Sequence, residues 1–299
     1  MSISLWQEVP VTDQLSLEGV TAILLNEYQS TYSGSIPPKA LNKILYFAAK
    51  EFEDENVTAE IPYFWYMYGT EVKTANTGVH TVSTKSGKRI RCNTSIEDIQ
   101  ASHATIRKAR KAISRSLNDY YSKKLEGITD ELYSEAPYDV QRTYRELDTQ
   151  IEVAADSKQA TLFGDNNRQQ IRRNLLQFVQ DFPTEDFPTY EDDLMIWYRV
   201  MRAELNEGDF EADKVDRLAA KFWRLFCLEL ACRENNDVSE AAIEAERDVS
   251  DIGVEKEKMR SDLLDQERTN ARQNAQDTGP ALKAAEAFIV PFLDIEVTG

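Results

Sequence analysis

Residues that break helices and form tight turns are scarce in this chain. Only 11 glycines and 9 prolines occur among 299 residues, below the average usage of about 7% and 5%. The intervening stretches place apolar residues at helical spacing. This scarcity favours long helices over a many-stranded sandwich or propeller, and it predicts a mainly α fold with a small β component.

The length allows roughly two domains of about 150 residues each. Mean hydropathy is −0.53, and no apolar run approaches the roughly 20 residues that span a bilayer. The first residues show no basic flank followed by an apolar segment, so no secretory signal is expected. Three cysteines, Cys92, Cys227 and Cys232, cannot form a pairwise disulfide framework. We therefore expect a cytoplasmic protein without membrane contact.

Two amphipathic helices are predicted near the N-terminus. Apolar spacing indicates a helix over 17–32 and another over 38–52, separated by a Ser-Gly-Ser-Ile-Pro-Pro break. Proline at position 38 suits the first turn of a helix. Two helices joined by a short break are compatible with a helix-turn-helix.

A strand and a basic hairpin follow these helices. The aromatic stretch 61–72 indicates a strand or strand-turn, and Ser86-Gly87 is a turn signal inside the segment 79–92. Alternation beyond that turn places Arg89 and Arg91 on one face of a strand. Helices followed by a strand and a basic hairpin match the order of a winged helix.

The remaining sequence predicts further helices. The Ser95-x-x-Asp98 pattern predicts the start of a long helix that reaches about Leu125. A polar linker is expected over 126–136 and a loop over 154–167. The charged stretch 234–276 is helical by propensity, with sparse apolar points at Ile243, Ile252, Met259 and Leu263. The expected organisation is a winged-helix-like domain over 1–125, a helical domain over 126–235 and a charged helical extension over 236–299.

Charge is distributed unevenly along the chain. The net charge is −17, which argues against indiscriminate nucleic-acid binding. Yet residues 85–124 contain eleven basic residues and only three acidic ones, so the rest of the chain carries −25. Dense acidity is also typical of adaptation to a salty cytoplasm.

Familiar catalytic motifs are missing from the sequence. The two histidines, His80 and His103, do not belong to a metal-ligand motif. No GxSxG, GxxxxGK[ST] or GxGxxG pattern occurs. We expect no catalytic residues, no metal and no cofactor, and therefore a protein that is not an enzyme.

The basic segment predicts binding to double-stranded DNA. Basic residues that neutralise phosphates release counterions, which is the main source of sequence-independent affinity. The second helix would face bases, the hairpin would hold the phosphate backbone, and the following helix would extend the positive surface. The candidate residues are Lys39, Asn42 and Lys43 on the helix, Lys85, Lys88, Arg89 and Arg91 on the hairpin, and Arg107, Arg110 and Lys111 beyond it.

Two other roles for the basic segment remain open. It could dock an acidic protein partner, or it could balance charge inside the molecule. The aromatic run 63–68 could stack bases, although such runs more often form core. The helical C-terminal half could form a homodimer or receive a signal, and the apolar tail Ile289–Leu293 could dock a partner.

Two short blocks are similar to a known family. The block LNKILYFA (41–48), followed by WYMYGTEV (65–72), resembles the "KLLYFA … YGPV" pattern of the Panacea (SocA-like) antitoxin domain and of archaeal helix-turn-helix proteins. Thr70 stands where that pattern has proline. The resemblance spans at most residues 15–125. It implies a small non-catalytic module that binds DNA or neutralises a partner protein such as a toxin.

Overall fold

A computed structural model describes residues 13–85, 87–156, 160–206 and 211–277 of the chain. These residues are mostly helical and form only small sheets. The prediction of a mainly α protein with a small β component is therefore confirmed. The tail Ile289–Leu293, which was predicted to dock a partner, lies outside the described residues.

Helices supply most of the described structure. They are α1 (Leu17–Thr31), α2 (Pro38–Glu55), α3 (His103–Asp119), α4 (Lys124–Ser134), α5 (Asp139–Asp156), α6 (Ala160–Asp181), α7 (Glu191–Asn206), α8 (Ala212–Arg233), α9 (Glu240–Arg247) and α10 (Ile252–Asp277). Short 3-10 turns cover Ile96–Asp98, Tyr121–Lys123 and Pro188–Tyr190.

The strands form three small sheets. They are β1 (Gln14–Leu15), β2 (Thr58–Ala59), β3 (Tyr63–Tyr66), β4 (Gly69–Val72), β5 (Val79–Thr84), β6 (Gly87–Cys92) and β7 (Asn235–Asn236). Strand β3 pairs antiparallel with both β4 and β7. Strands β5 and β6 form the antiparallel hairpin that the sequence predicts, and β1 pairs parallel with β2.

The chain divides into two compact units. The first comprises the described residues 13–142 together with 224–252, and the second comprises the described residues of 143–223 together with 253–277. Compactness does not measure independent folding. The domain bounds expected at residues 125 and 235 therefore stay predictions.

Helix α2 lies at the centre of the first unit. Its residues 43–48 are all buried, and α3, α4 and β4 pack against it. The Phe47 ring stacks on Tyr120 with centroids 3.7 Å apart. Because six consecutive residues span more than one helical turn, no side of this part of α2 faces solvent.

The predicted start of the helix after the hairpin is wrong. Ser95 and Asp98 do form a capping box, but it closes only the short 3-10 turn Ile96–Asp98. Helix α3 begins later, where the Ser102 hydroxyl accepts a hydrogen bond from the Thr105 amide. A capping box specifies a first turn and carries no information about how far the helix continues.

Two segments predicted as linker or loop are helical. The predicted linker 126–136 contains most of α4, whose Ile128 and Leu132 are fully buried. Tyr133 of α4 donates a hydrogen bond of 2.7 Å to the carbonyl of Met67, so this helix is held by tertiary packing that local polarity does not reveal. In the predicted loop 154–167, α5 continues to 156 and α6 starts at 160, with 157–159 outside the described residues.

Stacked aromatic rings form the core of the second unit. Tyr144 stacks on Trp223 with centroids 4.1 Å apart, and Trp197 stacks on Phe222 at 4.7 Å. The indole nitrogen of Trp197 donates to the carbonyl of Leu218 at 3.0 Å, which satisfies the polar atom of a fully buried side chain.

Most of the charged stretch 234–276 is helical, as predicted, in α9 and α10, whereas its first residues contain the strand β7, which pairs with β3. The four sparse apolar residues that the sequence singles out in it are all buried. The guanidinium of Arg260 binds the buried carboxylate of Asp193 through two hydrogen bonds of 2.6 and 2.8 Å. Such a bidentate pair fixes orientation as well as charge. The four buried apolar residues of the stretch 234–276 are Ile243, Ile252, Met259 and Leu263.

A glycine at the β3–β4 turn should be intolerant of any side chain. Gly69 has φ of +117°, and a Cβ there would lie 2.3 Å from Leu132 Cδ2 and 2.8 Å from Lys43 Nζ. Backbone strain plus overpacking should make Gly69→Ala destabilising by about 3 kcal/mol. The measurement is the free energy of unfolding from urea titration.

Gly87 provides the matched control for this substitution. It has a similar φ of +110°, but a Cβ there would meet nothing within 4 Å. Gly87→Ala should therefore show the backbone strain alone, about 1 kcal/mol. Equal losses for the two variants would contradict the proposed close contact at Gly69.

A buried carboxyl should make the second unit sensitive to pH. Burial, and then the charges of Glu152 and Asp216, raise the pKa of Asp148 from 3.8 to about 6. The folded state thus binds this proton more tightly than the unfolded state, so stability is lost as pH rises from about 4 through about 6. Asp148→Asn, which cannot ionise, should gain about 2 kcal/mol over the wild type at pH 7.5 and nothing at pH 4.

Unfolding free energies measured at both pH values test this expectation. Glu146 is exposed on the same helix, so Glu146→Gln serves as the control and should show little difference between the two conditions. A gain for Asp148→Asn of the same size at both pH values would contradict ionisation as its cause.

Candidate nucleic-acid interface

The register of the β5–β6 hairpin determines where its cations lie. Arg89 is paired with Val82 and Arg91 with His80, so the two arginines share one face, as predicted. Lys88 is paired with Ser83 and occupies the opposite face. Lys85, Lys88, Arg89 and Arg91 are all exposed.

Helix α1 anchors the base of the hairpin. The Cys92 thiol donates to the Glu18 carbonyl at 3.3 Å, and the Gly78 amide donates to the Glu18 carboxylate at 2.9 Å. The bond from Gly78 lowers the pKa of Glu18, which keeps that carboxylate charged and held at the base. Val79 is buried beside it. The hairpin is thus fixed at one end and exposed at the other.

The hairpin is uniformly positive. Residues 79–92 contain no aspartate or glutamate. The ribbon therefore carries four positive charges with nothing within its own sequence to offset them. A two-stranded ribbon with this charge is suited to phosphate backbones, and ribbons also fit the major groove of DNA.

From Arg110 onward α3 is different, because its cations there are paired within the molecule. Arg115 contacts Glu51 and Glu55 of α2 at 2.5 Å each, and Lys111 contacts Glu55 at 2.8 Å. Hydrogen bonds from Lys111 and Arg115 lower the pKa of Glu55. Arg110 lies 3.7 Å from Glu27 of α1. Arg110 and Lys111, predicted to extend the positive surface, instead balance the acidity of neighbouring helices.

The cations at the start of α3 are exposed and less involved in ion pairs. Arg107 and Lys108 are exposed in its first two turns. Among the described residues, no carboxylate forms an ion pair with Arg107. Arg107 is therefore the candidate on α3 that has no ion pair within the described part of the chain, whereas Arg110 and Lys111 are paired.

The predicted base-facing helix α2 presents little to a partner. Lys43, predicted to face bases, is only 4% exposed and donates through Nζ to the carbonyl of Tyr68. That prediction is wrong, because contacts on every side of residues 43–48 remove the face a groove would need. Lys39 is exposed, with Nζ 5.5 Å from the Tyr68 ring centroid, and Asn42 is half-buried.

The aromatic run 63–68 divides between core and surface. Phe64, Trp65 and Tyr66 are buried, as expected for core, whereas Tyr68 is 42% exposed. Sequence reasoning included Tyr68 only as part of the aromatic run that could stack bases, and it did not single out Thr70 or Glu71 as site residues. The signal available was Gly69, since a glycine that follows a buried strand after two intervening residues marks a tight turn that directs its neighbours outward.

Comparison of the chain with models of protein families, with curated proteins and with solved structures gives no match. The similarity to the Panacea antitoxin domain therefore rests on its two motif blocks and stays a prediction. None of the helices in the described residues has the length and apolarity needed to cross a bilayer. The same residues contain no group of three or more histidine, cysteine or acidic side chains placed to hold a metal ion.

Proposed function

We propose that this protein is a non-enzymatic DNA-binding regulator that holds the phosphate backbone through its β5–β6 hairpin. One observation carries the proposal: the hairpin cations are exposed on a ribbon without acidic residues, while the cations of the C-terminal half of α3 are paired internally. The protein thus exposes part of its positive charge on the hairpin although its net charge is −17.

The hairpin acts as the wing of a winged-helix-like domain in this proposal. Arg89 and Arg91 lie on one face, where both can reach the same stretch of backbone, and Lys85 lies at the tip. Lys39 and Asn42 at the start of α2 are left as the only α2 candidates for a contact with base edges. The acidic remainder of the protein repels DNA, so a duplex is restricted to the hairpin side.

Salt dependence provides the first test. Four phosphate contacts should give a slope of about −3.6 in a plot of log affinity against log salt concentration. Fluorescence anisotropy of a labelled duplex measures this slope. The Lys88→Glu, Arg89→Glu, Arg91→Glu triple variant should bind about a hundredfold more weakly at low salt while remaining folded, because all three side chains are exposed.

A control variant carries the same change in net charge elsewhere. Arg173, Lys258 and Arg272 are exposed in the second unit, so reversing all three to glutamate tests whether total charge alone sets the affinity. This control should bind nearly as the wild type does. Equal losses in the two triple variants, or no binding of the wild type at low salt, would contradict a hairpin interface.

A second candidate is an antitoxin-like or adaptor module that docks a partner protein. One observation favours it: the two blocks that resemble the Panacea domain meet in space, with Lys43 of the first donating to the carbonyl of Tyr68 in the second. For this function, duplex binding should be absent at low salt. When an adjacent toxin-like gene is expressed alone, growth should stop. Co-expression of this protein should restore it.

A further inference from the structure

A cleft opens between the first two turns of α2 and the strand β4. Its volume is about 40 Å³, which is room for about three water molecules and lies well below the range of drug-sized pockets. A recess of this size suits one small chemical group better than a whole cofactor. Its lining residues are Lys39, Asn42, Lys43, Tyr68, Thr70 and Glu71.

The walls of the cleft are rigid. Helix α2 is enclosed by neighbours directly beyond Asn42, and the β3–β4 turn is held by the bonds that Lys43 and Tyr133 make to its carbonyls. Gly69 leaves no space for a side chain at the turn. A preformed site avoids the free-energy cost of ordering its own walls when a ligand binds.

The buried hydroxyl of Thr70 is not explained by the packing of the fold. The side chain is 2% exposed, and its hydroxyl has no hydrogen-bond partner among the described residues. A buried hydroxyl without a partner destabilises the folded state. A valine would fill the same volume without that penalty. Because Thr70 also lines the cleft, we read the missing partner of its hydroxyl as a group of a ligand bound there.

The side chains that line the cleft carry a net positive charge. Lys39 and Lys43 both line it, whereas the carboxylate of Glu71 is paired with Arg247. Helix α2 also begins without a side-chain cap at Pro37 and without an acidic residue in its first turn. The positive end of its dipole is therefore not offset locally.

We propose that this cleft binds a single carboxylate group. Lys39 and the field of Lys43 supply the charge, Asn42 and Thr70 supply hydrogen-bond donors, and the exposed Tyr68 ring covers the carbon chain of the ligand. The paired but nearby Glu71 favours a monoanion over a doubly charged phosphate, since repulsion grows with ligand charge. The cleft is separate from the hairpin and does not depend on the DNA-binding proposal.

Titration monitored by amide chemical shifts locates the site on the full chain. Sodium acetate is added to the deuterated, ¹⁵N-labelled protein, with sodium chloride at equal ionic strength as the reference. Saturable shifts should appear at 39–43 and 68–71. Shifts no larger than those caused by chloride, or shifts spread over the whole protein, would overturn the proposal.

A second ligand distinguishes the two sources of such a group. A blocked Gly-Glu-Gly tripeptide presents the same carboxylate on a peptide. Tighter binding of the tripeptide than of acetate would indicate the acidic side chain of a protein, and equal affinities would indicate a free small carboxylate. Sodium phosphate should bind more weakly than acetate, and the reverse order would contradict the assignment to a monoanion.

Thr70→Val separates a binding role from a structural one. Without ligand, the variant should melt about 2–4 °C higher than the wild type because the unpartnered hydroxyl is gone. Its affinity for acetate should fall about tenfold, as expected for one lost hydrogen bond to a charged group. Unchanged affinity in this variant would overturn the role of Thr70.

Thr21 offers a matched control in α1. It is fully buried, and its hydroxyl likewise has no partner among the described residues. Thr21→Val should raise the melting temperature by a similar amount and leave the affinity for acetate unchanged. An equal loss of affinity in both variants would show that the effect is not specific to the cleft.

Discussion

Burial of residues 43–48 of α2 on every side is the constraint around which the first unit is arranged. Residues 43–48 contribute Ile44, Leu45 and Phe47 to the core, and full burial of each such side chain is worth about 1.5–3 kcal/mol. The helices α3 and α4 and the strand β4 all pack against this segment. A helix that organises the core in this way cannot also lie with a broad face in a DNA groove.

The same packing decides how the basic segment is used. Helix α3 lies against α1 and α2, which brings Arg110, Lys111 and Arg115 beside the carboxylates of those helices. The hairpin is anchored at its base by α1, and its four cations are exposed. Internal charge balance, one of the roles that the sequence leaves open, thus applies to Arg110, Lys111 and Arg115 of α3, whereas the role of the exposed hairpin cations stays a proposal.

Local signals in the sequence were reliable where one face of an element is buried. The stripe of Leu17, Val20 and Leu24 predicts α1, and the alternation of Arg89 and Arg91 about Ile90 predicts their common face. Nonlocal effects were not predictable. The polarity of 126–136 conceals that α4 is held by the contact of Tyr133 with the β3–β4 turn.

The burial of Lys43 in the candidate site could likewise not be predicted from the local sequence. A lysine on a helix is normally exposed, and only the approach of the β3–β4 turn, made possible by Gly69, buries it. Tyr68 and Thr70 belong to the cleft for the same reason. Their position depends on a contact between segments about 25 residues apart, which periodicity within either segment does not encode.

Amide hydrogen exchange with and without a short duplex tests the central claim most directly. The claim is that α2 serves as core while the β5–β6 hairpin provides the contact surface. Amides of 43–48 should exchange slowest in the first unit and should not respond to DNA, whereas 79–92 should become protected when the duplex is added. New protection of α2 on DNA binding, with the hairpin unchanged, would contradict the account.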